Sequence, residues 1–157
     1  MKPTVYIETS VVSYLTAQVS RDLIVAAHQE LTVEWWEQAL PKLQPYVSPV
    51  VLEEIAKGDP GAAKKRMKAV SDFEVLEVVP EVRDLAERYF MAIDLPEKAR
   101  ADAYHLALAV WHGMDYLVTW NCTHIAGAKV KLIVQGVNAR RGIESPIICT
   151  PEELMEI

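Results

Sequence analysis

The first apolar run of the chain, Val5-Tyr6-Ile7, follows Pro3 and stops abruptly at Glu8-Thr9-Ser10. β-Branched and aromatic residues in so short a run fit a central strand of an α/β sheet, covered on both faces. Polar side chains where such a strand ends lie at the carboxyl edge of the sheet, where open α/β folds bind ligands. Two requirements follow. Later segments must complete a parallel sheet, and other parts of the chain must meet Glu8 at that edge.

The remaining sequence alternates helical and extended patterns. Residues 11–16 read as a short helix, with Thr9 or Ser10 capping its exposed N–H groups. A long helix opens at Ser20-Arg21-Asp22, with Ser20 as its cap, and runs to about Ala39 before Pro41; Leu23, Ala27, Leu31 and Trp35 give it a buried stripe. Trp35 and Trp36 read as core and interface packing rather than as a base-stacking platform. Tyr46-Val47-Ser48 is a second strand, and Pro49 starts a helix over residues 50–57 that Gly58 ends. Asp59-Pro60 begins a helix to about Val70, basic on its outside. Residues 73–79 form a third strand with one wet edge. Pro80-Glu81 starts a helix to about Ile93, acidic in its first turn as the helix dipole favours. Residues 99–112 are the most helical stretch, closed by Gly113, with Ala103, Leu106, Ala107 and Val110 facing a sheet and Asp102 near the start. Residues 116–119 are a fourth strand ending at Trp120-Asn121, and a helix follows from about Cys122 or His124. Ile147-Ile148-Cys149 is a fifth strand, and Thr150-Pro151-Glu152-Glu153 is a capping box with proline at the first helical position. Strands alternating with helices across short loops specify an α/β fold, a parallel sheet with helices on both faces. If the first and fourth strands are neighbours where the strand order reverses, Glu8 and Asn121 lie together, and Glu54 and Asp102 can lean over the same edge.

Composition narrows the function. The 157 residues, 51% of them hydrophobic, suit one domain with a full core and no staples. Apolar runs are too short to span a membrane and the N-terminus lacks a signal-peptide layout, so the cytoplasm is the default compartment. Cys122 and Cys149 are far apart without a CxxC pattern and read as reduced thiols. The net charge of −6 argues against indiscriminate coating of nucleic acid. Lys64, Lys65, Arg66 and Lys68 read as a solvated helix face, and Arg140-Arg141, in a late loop, as the better candidate for touching a polyanion. Nucleotide-cofactor binding is disfavoured because no G-x-G-x-x-G or Walker loop follows the first strand. The four histidines show no close ligand pair for zinc.

Crowded carboxylates resist ionising unless a cation sits among them, and hard oxygen ligands with retained water suit Mg²⁺ or Mn²⁺. Glu53 and Glu54 point about 100° apart on a helix, so only one can face the site. Glu8 has a purely local reading as well, as a helix-terminus carboxylate. Asp102 on a largely apolar helix needs a ligand, a cap or a cation to explain it. His105 and His124 each flank the expected pocket, although a histidine bonded to backbone is the commoner use.

The strand followed by Glu8-Thr9-Ser10, then Glu54-Ile55-Ala56-Lys57-Gly58, Asp102-Ala103-Tyr104-His105-Leu106-Ala107 and Leu117-Val118-Thr119-Trp120-Asn121, together with the final Thr-Pro-Glu-Glu-Leu, resemble in order a PIN domain, and most of all the VapC-like toxin ribonucleases. The resemblance covers nearly the whole chain. It implies a three-layer α/β/α sandwich around a five-stranded parallel sheet and endoribonuclease activity dependent on Mg²⁺ or Mn²⁺. Glu8, Glu54, Asp102 and Asn121 would be the catalytic group. Glu8, Asp102 and Asn121 would hold the metal, with Glu54 as a ligand or as the orienter of the attacking water. Thr9, Ser10, Thr119 and His105 would meet the RNA substrate or support the ligands. A small antitoxin covering the acidic pocket and a homodimer are the implied partners. Two positions depart from the pattern, which usually has Asp where this chain has Glu8 and Asn121. The extra methylene of Glu8 moves its carboxylate by roughly 1.5 Å, and Asn121 leaves the site one negative charge poorer.

Overall fold

The computed structural model describes residues 1–157. Five strands, β1 (Thr4–Ile7), β2 (Gln44–Val47), β3 (Glu74–Val75), β4 (Tyr116–Val118) and β5 (Ile147–Cys149), form one parallel sheet in the order β3-β2-β1-β4-β5. β1 lies at the centre, and Tyr6 pairs with Tyr46 on one side and Leu117 on the other. Seven α-helices connect the strands: α1 (Thr9–Thr16), α2 (Leu23–Gln38), α3 (Pro49–Ile55), α4 (Pro60–Ala69), α5 (Pro80–Ile93), α6 (Arg100–Trp111) and α7 (Ala128–Arg140). Connections leave β1 toward β2 and β3, then cross to β4 and β5. Right-handed crossovers therefore put α1 to α4 on one face and α5 to α7 on the other. The helix contacts agree, since α1 packs on α2, α3 and α4 while α5 packs on α6 and α7. This is the expected three-layer sandwich, with the switch in strand order between β1 and β4.

Thirty-six buried apolar residues form one contiguous core, to which β1 contributes Val5, Tyr6 and Ile7 and α6 contributes Ala103 and the run Leu106–Val110. No helix is long and apolar enough to cross a membrane. Both cysteines are free, Cys149 buried and Cys122 exposed.

Several local expectations need correction. The cap of α2 is Asp22, whose Oδ1 accepts the N–H groups of Ile24 and Val25; Ser20 Oγ accepts Asp22 N–H instead. Leu23 and Ala27 are exposed, and the buried positions are Gln29, Thr32 and Trp35. The first turns of α2 line a surface groove together with Tyr14 and Leu15, where Leu23 and Ala27 meet solvent. The buried polar groups have partners: Gln29 binds the backbone at Gln18 and Ser20, and Thr32 Oγ1 accepts Trp120 Nε1–H at 2.7 Å. Trp35 is core, as expected, and donates to the Leu154 carbonyl. β3 is two residues long because its only partner, β2, gives way at Ser48 to α3. α7 begins at Ala128 rather than near Cys122: the Asn121 carbonyl holds the N–H groups of Ile125 and Ala126 in turns first. Gly127 makes that fold-back feasible, since a Cβ there would stand 2.5 Å from the Cys122 carbonyl oxygen. Arg140 consequently ends a helix and is not in a loop. The chain end does close as a capping box, Thr150 N–H to Glu153 Oε1 at 2.9 Å and Glu153 N–H to Thr150 Oγ1 at 3.3 Å.

Candidate active site

Tyr6 and Glu8 are two residues apart at the end of β1 and so share a face of the sheet. Glu8 is the residue before α1, but its side chain makes no capping bond. Its Oε1 accepts the hydroxyls of Ser10 at 2.5 Å and Thr119 at 2.6 Å. Both hydroxyls are aimed by backbone donors from the end of β4: Trp120 N–H binds Ser10 Oγ and Asn121 N–H binds Thr119 Oγ1, each at 2.9 Å. With their lone pairs engaged, the two O–H groups point to the carboxylate. The longer side chain of Glu8 is thus pinned in place, and Ser10 is spent on the carboxylate rather than on capping α1.

Glu54 reaches the same edge from α3, which Pro49 opens and Ser48 caps. Its Oε1 accepts from Thr9 Oγ1 at 2.7 Å and from His105 Nε2 at 2.6 Å. Glu53 is exposed, as the 100° argument required. His105 sits on α6 with no exposed surface, and its other nitrogen, Nδ1, lies 2.7 Å from Tyr6 Oη, which in turn lies 2.8 Å from Ser48 Oγ. A continuous chain of bonds therefore runs Ser48–Tyr6–His105–Glu54–Thr9. Where His105 was expected to flank the pocket toward substrate, both of its nitrogens are taken inside the protein, so it orients Glu54. The ring stands 3.9 Å from Glu8 Oε2 and is the link between the two glutamates.

Glu8, Glu54 and His105 offer ligand atoms within 4.8 Å of one another. Glu8 Oε2 and Glu54 Oε2 make no hydrogen bond, while no buried side-chain oxygen or nitrogen in the protein lacks a partner; these two oxygens are therefore the ones that reach solvent. Hard carboxylate oxygens left open in this way fit Mg²⁺ or Mn²⁺.

Asp102, one turn before His105 on α6, is held differently. Its Oδ2 meets His124 Nδ1 at 3.1 Å, and His124 N–H binds Asn121 Oδ1 at 2.9 Å. Asn121 thus uses its carbonyl, the only atom through which it could ligate an ion, on a local turn. His124 remains 28% exposed at its side chain, with Nε2 free. The structure brings Glu8, Glu54, Thr9, Ser10, Thr119 and His105 into one network and sets Asp102 with Asn121 and His124 beside it.

Electrostatics follow this division. Burial penalises the charged form of His105, yet the Glu54 hydrogen bond and the charges of Glu8, Glu54 and Asp102 outweigh it and raise its pKa. For Glu54, burial acts upward, but His105, Thr9 and Lys57 bring its pKa below the ordinary value. Burial wins at Asp102, whose pKa is raised despite His105, Asn121 and His124. Burial also raises the Tyr6 hydroxyl well above its ordinary value.

Sequence reasoning missed Tyr6 and Ser48 as parts of the site, and the pairing of His124 with Asp102. One signal pointed to Tyr6: its i, i+2 spacing with Glu8 on a strand, which puts the two side chains on one face.

No family model matches the chain, and no curated protein does. Among solved structures, one chain in the crystal structure of VapBC2 from Rickettsia felis bound to a DNA fragment from their promoter is similar, with a TM-score of 0.59 at 12% identity, over 94% of this chain and 98% of that chain. At that identity the likeness is one of fold, and it agrees with the strand order and layers described above: the chain has the PIN-like α/β/α fold that its sequence motifs resemble.

Proposed function

We propose that this chain is a divalent-metal-dependent endoribonuclease of the PIN/VapC toxin type. The observation that carries the reading is the convergence of Glu8 and Glu54, each with one oxygen locked and one open, at the switch point of the sheet, with Asp102 alongside. Glu8, Glu54 and Asp102 would hold Mg²⁺ or Mn²⁺, with Asn121 contributing its carbonyl if His124 N–H shares it. Bound there, the ion would supply an activated water and positive charge at the scissile phosphate. Ser10, Thr119, Thr9 and His105 fix the carboxylates in advance, so little reorganisation is left for the moment of reaction. A small antitoxin is the expected partner, bringing an Arg or Lys to the acidic edge, and the exposed Leu23, Ile24 and Val33 of α2 support self-association.

A second reading, a catalytically weak PIN-like module that binds RNA or a protein, is favoured by one observation: the His105 ring already stands between the two glutamates, 2.6 Å from Glu54 Oε1 and 3.9 Å from Glu8 Oε2. Cleavage of a mixed RNA pool with Mg²⁺, with Mn²⁺ and with chelator separates the two. Metal-dependent cutting by wild type that drops at least about 100-fold in Glu8→Gln and Asp102→Asn supports the nuclease. Equal inertness of wild type and both variants with either metal would leave the binding module standing.

A further inference from the structure

α4 is an unusual helix for this protein. None of its ten residues is fully buried, so it adds little to the core. It is held instead by Asp59, which caps the N–H of Ala62, and by Arg66, whose Nε and Nη2 bind the carbonyls of Ile55 and Lys57 at 2.9 and 2.6 Å. Ile55 directly follows Glu54, so Arg66 fastens the middle of α4 to the end of the segment that carries a site carboxylate.

Between Lys57 and Lys68 the chain holds five cations and a single carboxylate, Asp59, in a protein of net charge −6. Lys57, Lys64, Lys65 and Lys68 are all exposed. Lys64 and Lys68 are four apart and Lys65 and Lys68 three apart, so these three side chains are neighbours on one helix face. None of the four lysines forms an ion pair. Helix-dipole compensation accounts for Arg66 and Lys68 in the last turn but not for Lys64 and Lys65 before it. Three arginines of the opposite layer are used differently: Arg88 and Arg141 bind Asp84, and Arg100 binds Glu87 and Glu97. Arg141, half of the pair that the sequence favoured for polyanion contact, thereby shares the Asp84 carboxylate with Arg88. It also lies past the C-terminus of α7, toward the amino edge of the sheet and away from Glu8.

We infer that Lys57, Lys64, Lys65 and Lys68 form the docking ridge for the phosphate backbone of single-stranded RNA, leading the strand over the α3–α4 turn to Glu54. This inference rests on the nuclease reading for its substrate class. An acidic pocket repels a polyanion, and a row of exposed ammonium groups free of ion pairs supplies the attraction that the pocket lacks. Lys57 follows Glu54 by three residues just past the end of α3, and Arg66 ties its carbonyl to α4, which sets the near end of the ridge beside the site.

The test is binding of a fluorescent single-stranded RNA 20-mer in chelator across a salt series. Wild type is compared with Lys64→Gln/Lys65→Gln/Lys68→Gln and with a charge-matched control at the amino edge, Lys2→Gln/Lys42→Gln/Arg140→Gln; thermal melting checks that each folds. Loss of three phosphate contacts should flatten the slope of log affinity against log salt by about 2 in the ridge variant alone. With Mn²⁺ present, cleavage by the ridge variant should show a raised KM and an unchanged kcat. An equal effect in the control triple, or an unchanged slope in a folded ridge variant whose wild type binds and cuts RNA, overturns the ridge and leaves the nuclease reading intact. Absence of RNA binding and cleavage by wild type overturns both. Tighter binding of duplex DNA than of RNA, lost in the same ridge variant, would overturn the assignment of the partner.

Discussion

The two halves of the candidate site are built on opposite plans. On the Glu8–Glu54 side the supports converge from several elements: half-buried Ser10 and Thr9 and buried Thr119 donate to the carboxylates, and His105, with no exposed surface, joins Glu54 to Tyr6 and Ser48. On the Asp102 side the support is a partly exposed His124 and an Asn121 engaged in its own turn. Sealed networks set geometry at a high cost of disruption, because a lost partner leaves a desolvated polar atom behind. Open ones are cheap to rearrange, since water replaces what is lost. The glutamates are the fixed frame of the site and Asp102 its adjustable member.

The largest expected effect is on stability. His105→Ala strips partners from buried Tyr6 and from Glu54 at once and should cost about 3 kcal/mol in urea unfolding of the metal-free protein. His105→Gln, which keeps a donor, should recover part of it. A loss below about 0.5 kcal/mol for His105→Ala would mean that the network is not structural.

The pH profile sharpens the same contrast. The pKa of His105 is raised above its ordinary 6.5, so its contribution to stability is full below that value and is lost as pH rises through the raised one. Asp102, raised above its ordinary 3.8, acts with the same sign. Glu54, lowered from 4.5, contributes above that value, and its share is lost as pH falls through the lowered one. Glu54 and His105 together should therefore favour metal-free protein between about 4.5 and 6.5, Asp102 should trim stability as it ionises above 3.8, and His105→Gln should remove most of the decline toward alkaline pH. Chemical denaturation at half-unit steps of pH checks it, and an undiminished alkaline decline in the variant would assign the slope elsewhere.

The smallest effect is expected on the open side. His124→Ala should change stability by no more than about 0.5 kcal/mol, since water can replace a partly exposed partner. It should nonetheless weaken Mn²⁺ affinity about tenfold by releasing the orientation of Asp102. Calorimetric titration of Mn²⁺ beside an unfolding curve measures both. A stability loss as large as that of His105→Ala would erase the distinction between the halves.

Much of the fold was legible because its signals are local. Pro49, Pro60 and Pro80 each stand at the first position of a helix, and Gly58, Gly113 and Gly142 take positive φ where helices stop. The strands around Val5, Tyr46, Tyr116 and Ile147 lie where the apolar runs placed them. The α2 stripe misled because a strict spacing of four drifts about 40° per step around a helix of 3.6 residues per turn; Leu23 therefore stands about 120° from Trp35 and is 86% exposed. The delayed start of α7 had no periodic signal, being set by turns on the Asn121 carbonyl.

The sequence by itself determined the alternation of elements, their caps and breaks, and that acids stand at the ends of β1, α3 and the start of α6. These depend on interactions within four residues or on strand pleat. Only the tertiary structure decided that Glu8 is gripped by Thr119, 111 residues away, that His105 faces inward to Tyr6 and Glu54 rather than outward to substrate, and that Asp102 turns to His124. A titratable side chain takes its role from the partners it meets, and those partners come from segments that chain folding alone brings together.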